Sequence, residues 1–524
     1  MTPHALAGQS APSDSLVDHD ALRAAYYARM PDVRARTRYE VFRSSGHSGT
    51  GIRSAFSETD VRAITQAICD YRHQHGIDGP LFIARDSHVL SQPAFVTAVE
   101  VLTVGRVHVR LEPAGGYAPA PAVARAILTH NRQPFGGVAD GILVTSAPSS
   151  PGESAVKYIP PNGGPADIAV TRWIEERANR LLVSEGGGTL SYLTYARARR
   201  PNTTQGYDYV DSYVHDLADV IDMDAIRYSG LRIGVDVLGG SAGAVWAAIA
   251  DRYAINIDGV NSFLDPTFRF TEQFDIVIGN GADTHGHRFA TRSGVMDADD
   301  YLAVAIAYLF THRPAWSAEL AVGKVAVGSS LIDRVASGLK RRVVEVPSGF
   351  KWFVPGLLAG SLGFAGEESA AASFLQRDGT PWTTDTDGIV MDLLAVELMA
   401  RTDLNPSEFY AELTTDIGMP LRDRIDVPAA PEELALLACL SPHDVTVTKL
   451  AGDRIAEVLT VAPGNGIPLG GLKVTTANGW FAARPSGTAI YELYAETFRG
   501  RDHLQRIQTE ARTILSRALV RGLR

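Results

Sequence analysis

Two short segments carry residue types that can do chemistry. Asp283-Thr284-His285-Gly286-His287 sets a carboxylate and two imidazoles at alternate positions. If the segment is extended, alternate side chains share one side, and Asp283, His285 and His287 form a mixed donor set that suits Zn²⁺, Mn²⁺ or Fe²⁺. One of these histidines acting as a general acid or base without a metal is an equal reading, and a solvated loop is the plain one. His47 and His88 are further imidazoles that can approach such a site. In Arg484-Pro485-Ser486-Gly487-Thr488, a forked guanidinium, two hydroxyls and the amides around a glycine can converge on one phosphate. Read alone, that stretch is equally an ordinary Pro-Ser-Gly turn.

Strand-like runs must position these segments. Leu81–Ala84, Gly141–Val144, Arg232–Leu238, Phe274–Ile278 and Lys324–Val327 are continuous apolar runs separated by helical ones, the mark of parallel sheets covered on both faces. The pattern starts three times, which predicts three similar α/β units. The last ninety or so residues have short alternating segments and a long final helix, a different architecture. Ligands of parallel sheets collect at the carboxyl ends of strands. The Ser-rich loop after Gly141–Val144 and the Gly/His loop after Phe274–Ile278 are therefore the leading site positions. A helix is expected over 21–40.

At 524 residues the chain is too long for one compact core, and 45% hydrophobic with 21% charged residues is ordinary for a globular enzyme. A net charge of -10 excludes a generic polyanion-binding surface, so no nucleic-acid partner is expected, while a local basic pocket for a small anion remains open. No run approaches a membrane span, no signal peptide is visible, and a cytoplasmic location is expected. The two cysteines, Cys69 and Cys439, are expected to be buried free thiols.

Five segments in order resemble the α-D-phosphohexomutase superfamily, and within it the bacterial phosphoglucomutases: Lys157–Asp167, Tyr301–Ile306, Gly349–Phe353, Gly366–Ala370 and Arg484–Thr488. The resemblance runs from about residue 38 to the end. It implies an α/β, four-domain phosphohexomutase-like fold, three similar α/β domains plus a smaller C-terminal α+β domain around a central cleft. The expected divisions are an N-terminal extension at 1–37 and domains at 38–209, 210–316, 317–432 and 433–524. It also implies a phosphorylated sugar as partner, with a homodimer as a further expectation. By resemblance Glu367 and Ser369 grip sugar hydroxyls, Lys351 lies near the reacting oxygen, and Arg484, Ser486, Gly487 and Thr488 hold a phosphate. Glu368 has no expected role beyond a solvated or structural one.

The family's phosphorylated serine falls on Ala147 and the histidine after it on Pro148. Alanine offers no nucleophile; Ser146, Ser149 and Ser150 flank it. The family's three metal-binding Asp fall on Gly281, Asp283 and His285, so Mg²⁺, which wants hard oxygen ligands, is not expected there. A family arginine falls on Ser48. These departures lead to the expectation of a sugar-phosphate transformation other than the mutase reaction, such as isomerisation, epimerisation or phosphate-ester cleavage. His285, His287, His47 and Lys351 are its candidate catalytic groups. The alternatives are a non-catalytic sugar-phosphate-binding protein, or a phosphoglucomutase with a relocated serine.

Overall fold

The computed structural model describes residues 18–28, 42–43, 46–50, 56–146, 153–184, 194–198, 203–237, 239–259, 273–281, 284–487 and 489–522. The chain forms two compact units, Met1–Val295 with Thr380–Asp403, and Met296–Gly379 with Leu404–Arg524.

The first unit holds two sheets. The larger contains β1 (Phe42–Arg43), β2 (Gly46–Thr50), β3 (Leu81–Arg85), β4 (Val109–Leu111), β5 (Asp140–Ser146), β6 (Glu153–Ile159) and β7 (Thr204–Gly206), in the order β1-β2-β6-β5-β3-β4-β7. Its β5-β3-β4-β7 part is parallel, and β6, β2 and β1 continue it antiparallel. β3 shows why apolar runs form this core. Leu81 and Ile83 point into the cluster with Val61, Ile64, Ala98 and Val144, while Phe82 between them meets Tyr207 and Tyr209 edge-on. A strand buried on both sides leaves no place for polar alternation. The helix Glu58–His75 that covers one side starts at a capping box built from Ser57 and Asp60 and stops at Gly76 in the left-handed region.

The second sheet has β8 (Ile233–Asp236), β9 (Ile257–Gly259), β10 (Ile276–Gly279), β11 (Phe289–Thr291) and β12 (Gly294–Val295), ordered β12-β11-β10-β8-β9. In the second unit, β13 (Ala321–Val325), β14 (Val343–Val346), β15 (Leu362–Gly366) and β16 (Ala372–Phe374) run β14-β13-β15-β16. The three sheets share one topology. In each, the first strand of a parallel trio lies between the second and third, and an antiparallel strand follows beside the third. The fourth sheet is wholly antiparallel: β17 (Leu421–Pro428), β18 (Lys449–Leu450), β19 (Asp453–Val461), β20 (Pro468–Thr476), β21 (Gly479–Ser486) and β22 (Ile490–Thr497), ordered β17-β22-β21-β20-β19-β18. The final helix Arg501–Gly522 packs on β21 and β22. The α/β class with three like sheets and a different fourth follows from the strand patterns.

Several local expectations change. Helix Ala298–His312, expected within the second domain, packs against Leu331–Gly338 and Pro406–Ile417 of the second unit. β17, expected in the third domain, pairs along its length with β22 of the fourth sheet. The N-terminal helix spans His19–Ala28, and 29–41 lie outside the described residues. Cys69 is buried in its helix, but Cys439, just past the end of Pro431–Ala438, is exposed.

Candidate functional site

The candidate residues divide between the units. In the first unit the carboxyl ends of β3 and β5 carry a polar cluster centred on buried Asp86. The Asp86 carboxylate accepts from the His88 amide at 2.9 Å, the Ser91 hydroxyl at 2.5 Å and the Thr145 hydroxyl at 2.8 Å. His88 Nδ1 lies 3.0 Å from the hydroxyl of Ser154, at the start of β6. Sequence reading missed Asp86, Ser91, Thr145 and Ser154; the signal available was Asp86-Ser87-His88 directly after an apolar strand. Ala147, Pro148, Ser149 and Ser150 lie outside the described residues, as does the side chain of Ser146. His47 is in β2 opposite Val156, and its side chain lies outside the described residues.

The Gly/His loop follows β10. Buried Asn280 accepts from Trp246 Nε1 at 2.6 Å and donates to Asp392 at 2.7 Å, which locks the strand end. Thr284 is held at a φ of 56°, a left-handed geometry that is costly for a β-branched residue. Its carbonyl accepts from the Gly388 amide at 3.0 Å. A Cβ on Gly388 would stand 2.5 Å from the Gly286 carbonyl oxygen and 2.7 Å from that of Thr284, so only glycine lets this loop seat on the start of helix Gly388–Thr402. His285 is half-buried with Nδ1 2.7 Å from the Thr386 hydroxyl, and His287 is buried. The pair therefore does not present itself as an open, alternate-face donor set. Asp283 lies outside the described residues, and among the described residues no group of three or more His, Cys, Asp or Glu is placed to hold a metal. The donor chemistry of 280–287, with Asp283 its one carboxylate, does not suit Mg²⁺.

The second unit brings the remaining candidates together. Residues 367–371 form the turn between β15 and β16. Glu367 is buried and accepts from the Gly349 amide at 2.6 Å, which couples the turn to Lys351 two residues on. Lys351 Nζ lies 5.2 Å from the centre of the Trp352 ring. Ser369 is exposed. Glu368 has the partner the sequence left open: its Oε1 accepts from Arg484 Nη2 at 3.1 Å. The phosphate-loop segment is strand as far as Ser486, so Arg484 stands directly opposite Glu492 in the ladder. Gly487 takes a φ of 63°, and Thr488 lies outside the described residues. Glu492 accepts from Arg484 Nε at 2.9 Å, the Ser486 hydroxyl at 3.1 Å and the Tyr494 hydroxyl at 2.8 Å. Burial pushes the Glu492 carboxyl up, but Arg484, Tyr494, Ser486 and Arg424 together hold it below its ordinary value. A cavity of about 630 Å³ in the same unit is lined by Lys324, Asp333, Glu345, Lys473 and Trp480 among others and by none of the candidates.

Two family models match, phosphoglucomutase/phosphomannomutase alpha/beta/alpha domain I over 39–182 and domain III over 297–417. A phosphoglucomutase of Komagataeibacter xylinus is 46% identical over 537 residues, 97% of each chain. The chain belongs to the phosphoglucomutase/phosphomannomutase family. Solved members share its fold. Paramecium parafusin, a phosphoglucomutase, superposes with a TM-score of 0.72 at 15% identity over 94% of this chain and 97% of its own. A phosphoglucomutase/phosphomannomutase family protein of Burkholderia thailandensis gives 0.67 at 18% identity over 92% and 98%. The end-to-end identity to a phosphoglucomutase overturns the expectation of a transformation other than the mutase reaction. That expectation weighed a few substituted positions above a similarity spread along the whole chain.

Proposed function

We propose that the protein is a phosphoglucomutase, interconverting glucose 1-phosphate and glucose 6-phosphate. The observation that carries this reading is the 46% identity to a phosphoglucomutase across 97% of both chains. The local chemistry agrees with a phosphorylated sugar as substrate. Arg484 and Ser486 supply a guanidinium and a hydroxyl for a phosphoryl group, and Glu367 with Ser369 supplies a carboxylate and a hydroxyl for the sugar.

Moving a phosphoryl group between two hydroxyls of one sugar needs a carrier. The carrier's O–P bond breaks as the bond to the accepting hydroxyl forms, and that hydroxyl's proton is taken up. The bisphosphate turns over, its other O–P bond breaks as that phosphoryl returns to the carrier, and the sugar oxygen released takes back the proton. Ala147 has no oxygen for this, so the reading requires a serine elsewhere, with Ser146, Ser149 and Ser150 adjoining it. His88, already bonded to a serine hydroxyl, offers an imidazole for proton transfer at this strand end. The reading includes a homodimer, tested by light scattering. It also includes a cytoplasmic location: two cysteines with no disulfide between them suit a reducing compartment, and cell fractionation tests this.

The deciding experiment is a coupled assay of glucose 6-phosphate formation from glucose 1-phosphate, with glucose 1,6-bisphosphate, run with and without Mg²⁺. Turnover well above a heat-treated control is expected. A folded, pure protein that gives none would sink the proposal.

A further inference from the structure

The donors assigned to a phosphate are already spoken for by carboxylates. On one side of the Arg484 fork, Nε donates to Glu492 and Nη2 donates to Glu368, at 2.9 and 3.1 Å. The Ser486 hydroxyl donates to the other Glu492 oxygen at 3.1 Å. Glu492 therefore bridges Arg484 and Ser486 as a phosphoryl group would, with two oxygens on two donors. It is no stray surface contact. Glu492 is 7% exposed, Arg484 is its ladder partner on β21 with Ser486 diagonally across, and Arg424 on β17 adds an ion pair at 3.5 Å. Tyr494 braces the arrangement, donating to Glu492 while accepting from Arg484.

We propose that Glu492, aided by Glu368, is an internal anionic stand-in that occupies the phosphate donors of this loop, and that it sets how tightly the loop takes a phosphoryl group. An incoming phosphate dianion must either displace Glu492 from Arg484 and Ser486 or bind beside a like charge. Both routes weaken binding, and the second penalises the doubly charged ester most. The loop is thus a tuned site, in which the residue opposite Arg484 decides phosphoryl affinity. This rests on the reading of the loop as the phosphate end of a phosphoglucomutase site.

The test is calorimetric titration of glucose 6-phosphate into the wild type, Glu492→Gln, Glu368→Gln, Arg484→Ala and the Arg484→Ala/Glu492→Gln double variant. Glutamine keeps the shape and removes the charge. Glu492→Gln is expected to tighten binding by about tenfold or more, and Glu368→Gln by a few-fold, since charge-assisted bonds are the strong ones. The double variant should lose the gain. Binding by Glu492→Gln where the wild type shows none also supports the proposal. Unchanged or weaker binding by Glu492→Gln, with Arg484→Ala still weakening it, overturns the stand-in and leaves the phosphate loop intact. No effect of Arg484→Ala removes the loop as well as the proposal, whatever the mutase assay shows. If thermal melting finds Glu492→Gln unfolded, Glu368→Gln carries the decision, and no tightening there overturns the proposal.

Discussion

Arg484 was recognisable from its neighbours Pro485, Ser486 and Gly487, but its working state was not. The sequence offers a guanidinium next to a hydroxyl; the ladder adds Glu492 opposite and Glu368 from a turn 116 positions away. Removing the fork should still cost the site. Charge-assisted hydrogen bonds are worth about 1.5–3 kcal/mol, so Arg484→Ala should weaken glucose 6-phosphate binding by about ten- to a hundredfold, read by calorimetry. A second expectation concerns the carrier. After incubation with glucose 1,6-bisphosphate, peptide mass spectrometry should find phosphate on Ser146, Ser149 or Ser150. Turnover with no phosphate anywhere in 140–160 would show that the carrier lies outside this segment.

At the scale of elements, the Gly/His loop and the start of helix Gly388–Thr402 depend on one missing side chain. The contacts of 2.5 and 2.7 Å that a Cβ on Gly388 would make are with backbone oxygens, which cannot rotate away. Gly388→Ala should destabilise the protein by about 1–3 kcal/mol, the usual range for overpacking, read as a lower melting temperature. A melting temperature equal to wild type would show that the loop gives way freely. The start of helix Ala298–His312 gives a different kind of prediction. Arg422 on β17 pairs with Asp297, Asp299 and Asp300, fastening the fourth sheet to this helix. Burial pushes the Asp299 carboxyl up to about 7 from 3.8, against the pull of Arg422. A carboxyl raised in the folded state favours folding most below its unfolded value, and that contribution is lost as pH rises through about 7. Asp299→Asn stays uncharged throughout. Its melting temperature relative to wild type should therefore be higher at pH 8 than at pH 5, and an equal difference at both would reject the assignment.

Across the molecule, each unit has its own core: one cluster around Leu81, Ile83 and Val144, and others around Leu472 and Phe481 and around Ala321 and Phe353. Of the two cysteines, Cys69 reports on the first unit's core and Cys439 serves as an exposed reference. Burial pushes the Cys69 thiol up to about 12, whereas Cys439 is exposed. A thiol reagent at neutral pH should label Cys439 quickly and Cys69 only as the first unit opens, so the slow phase measures that unit's stability. Two fast thiols in a protein with native circular dichroism would contradict the burial of Cys69. Among the described residues no helix is long and apolar enough to cross a membrane.

The sequence by itself determined the repeating pattern of apolar strands, because a strand covered on both faces must be apolar at every position, and Leu81–Ala84 and Gly141–Val144 say so without help. It also determined the family resemblance, carried by five ordered segments whose residue types are chemically particular. It did not determine which polar groups meet. Ser154 and His88 are 66 positions apart, and only the pairing of β6 beside β5 brings them within 3.0 Å. His285 and His287 look alike in the sequence, yet the turn at Thr284 and the close seat on Gly388 leave one half-buried beside Thr386 and the other buried. Glu492 looks like any charged residue in a strand until antiparallel register sets it across from Arg484. Local pattern fixes which elements form because burial acts residue by residue. The partners of a charge depend on register and on contacts far along the chain, and those exist only in the folded protein.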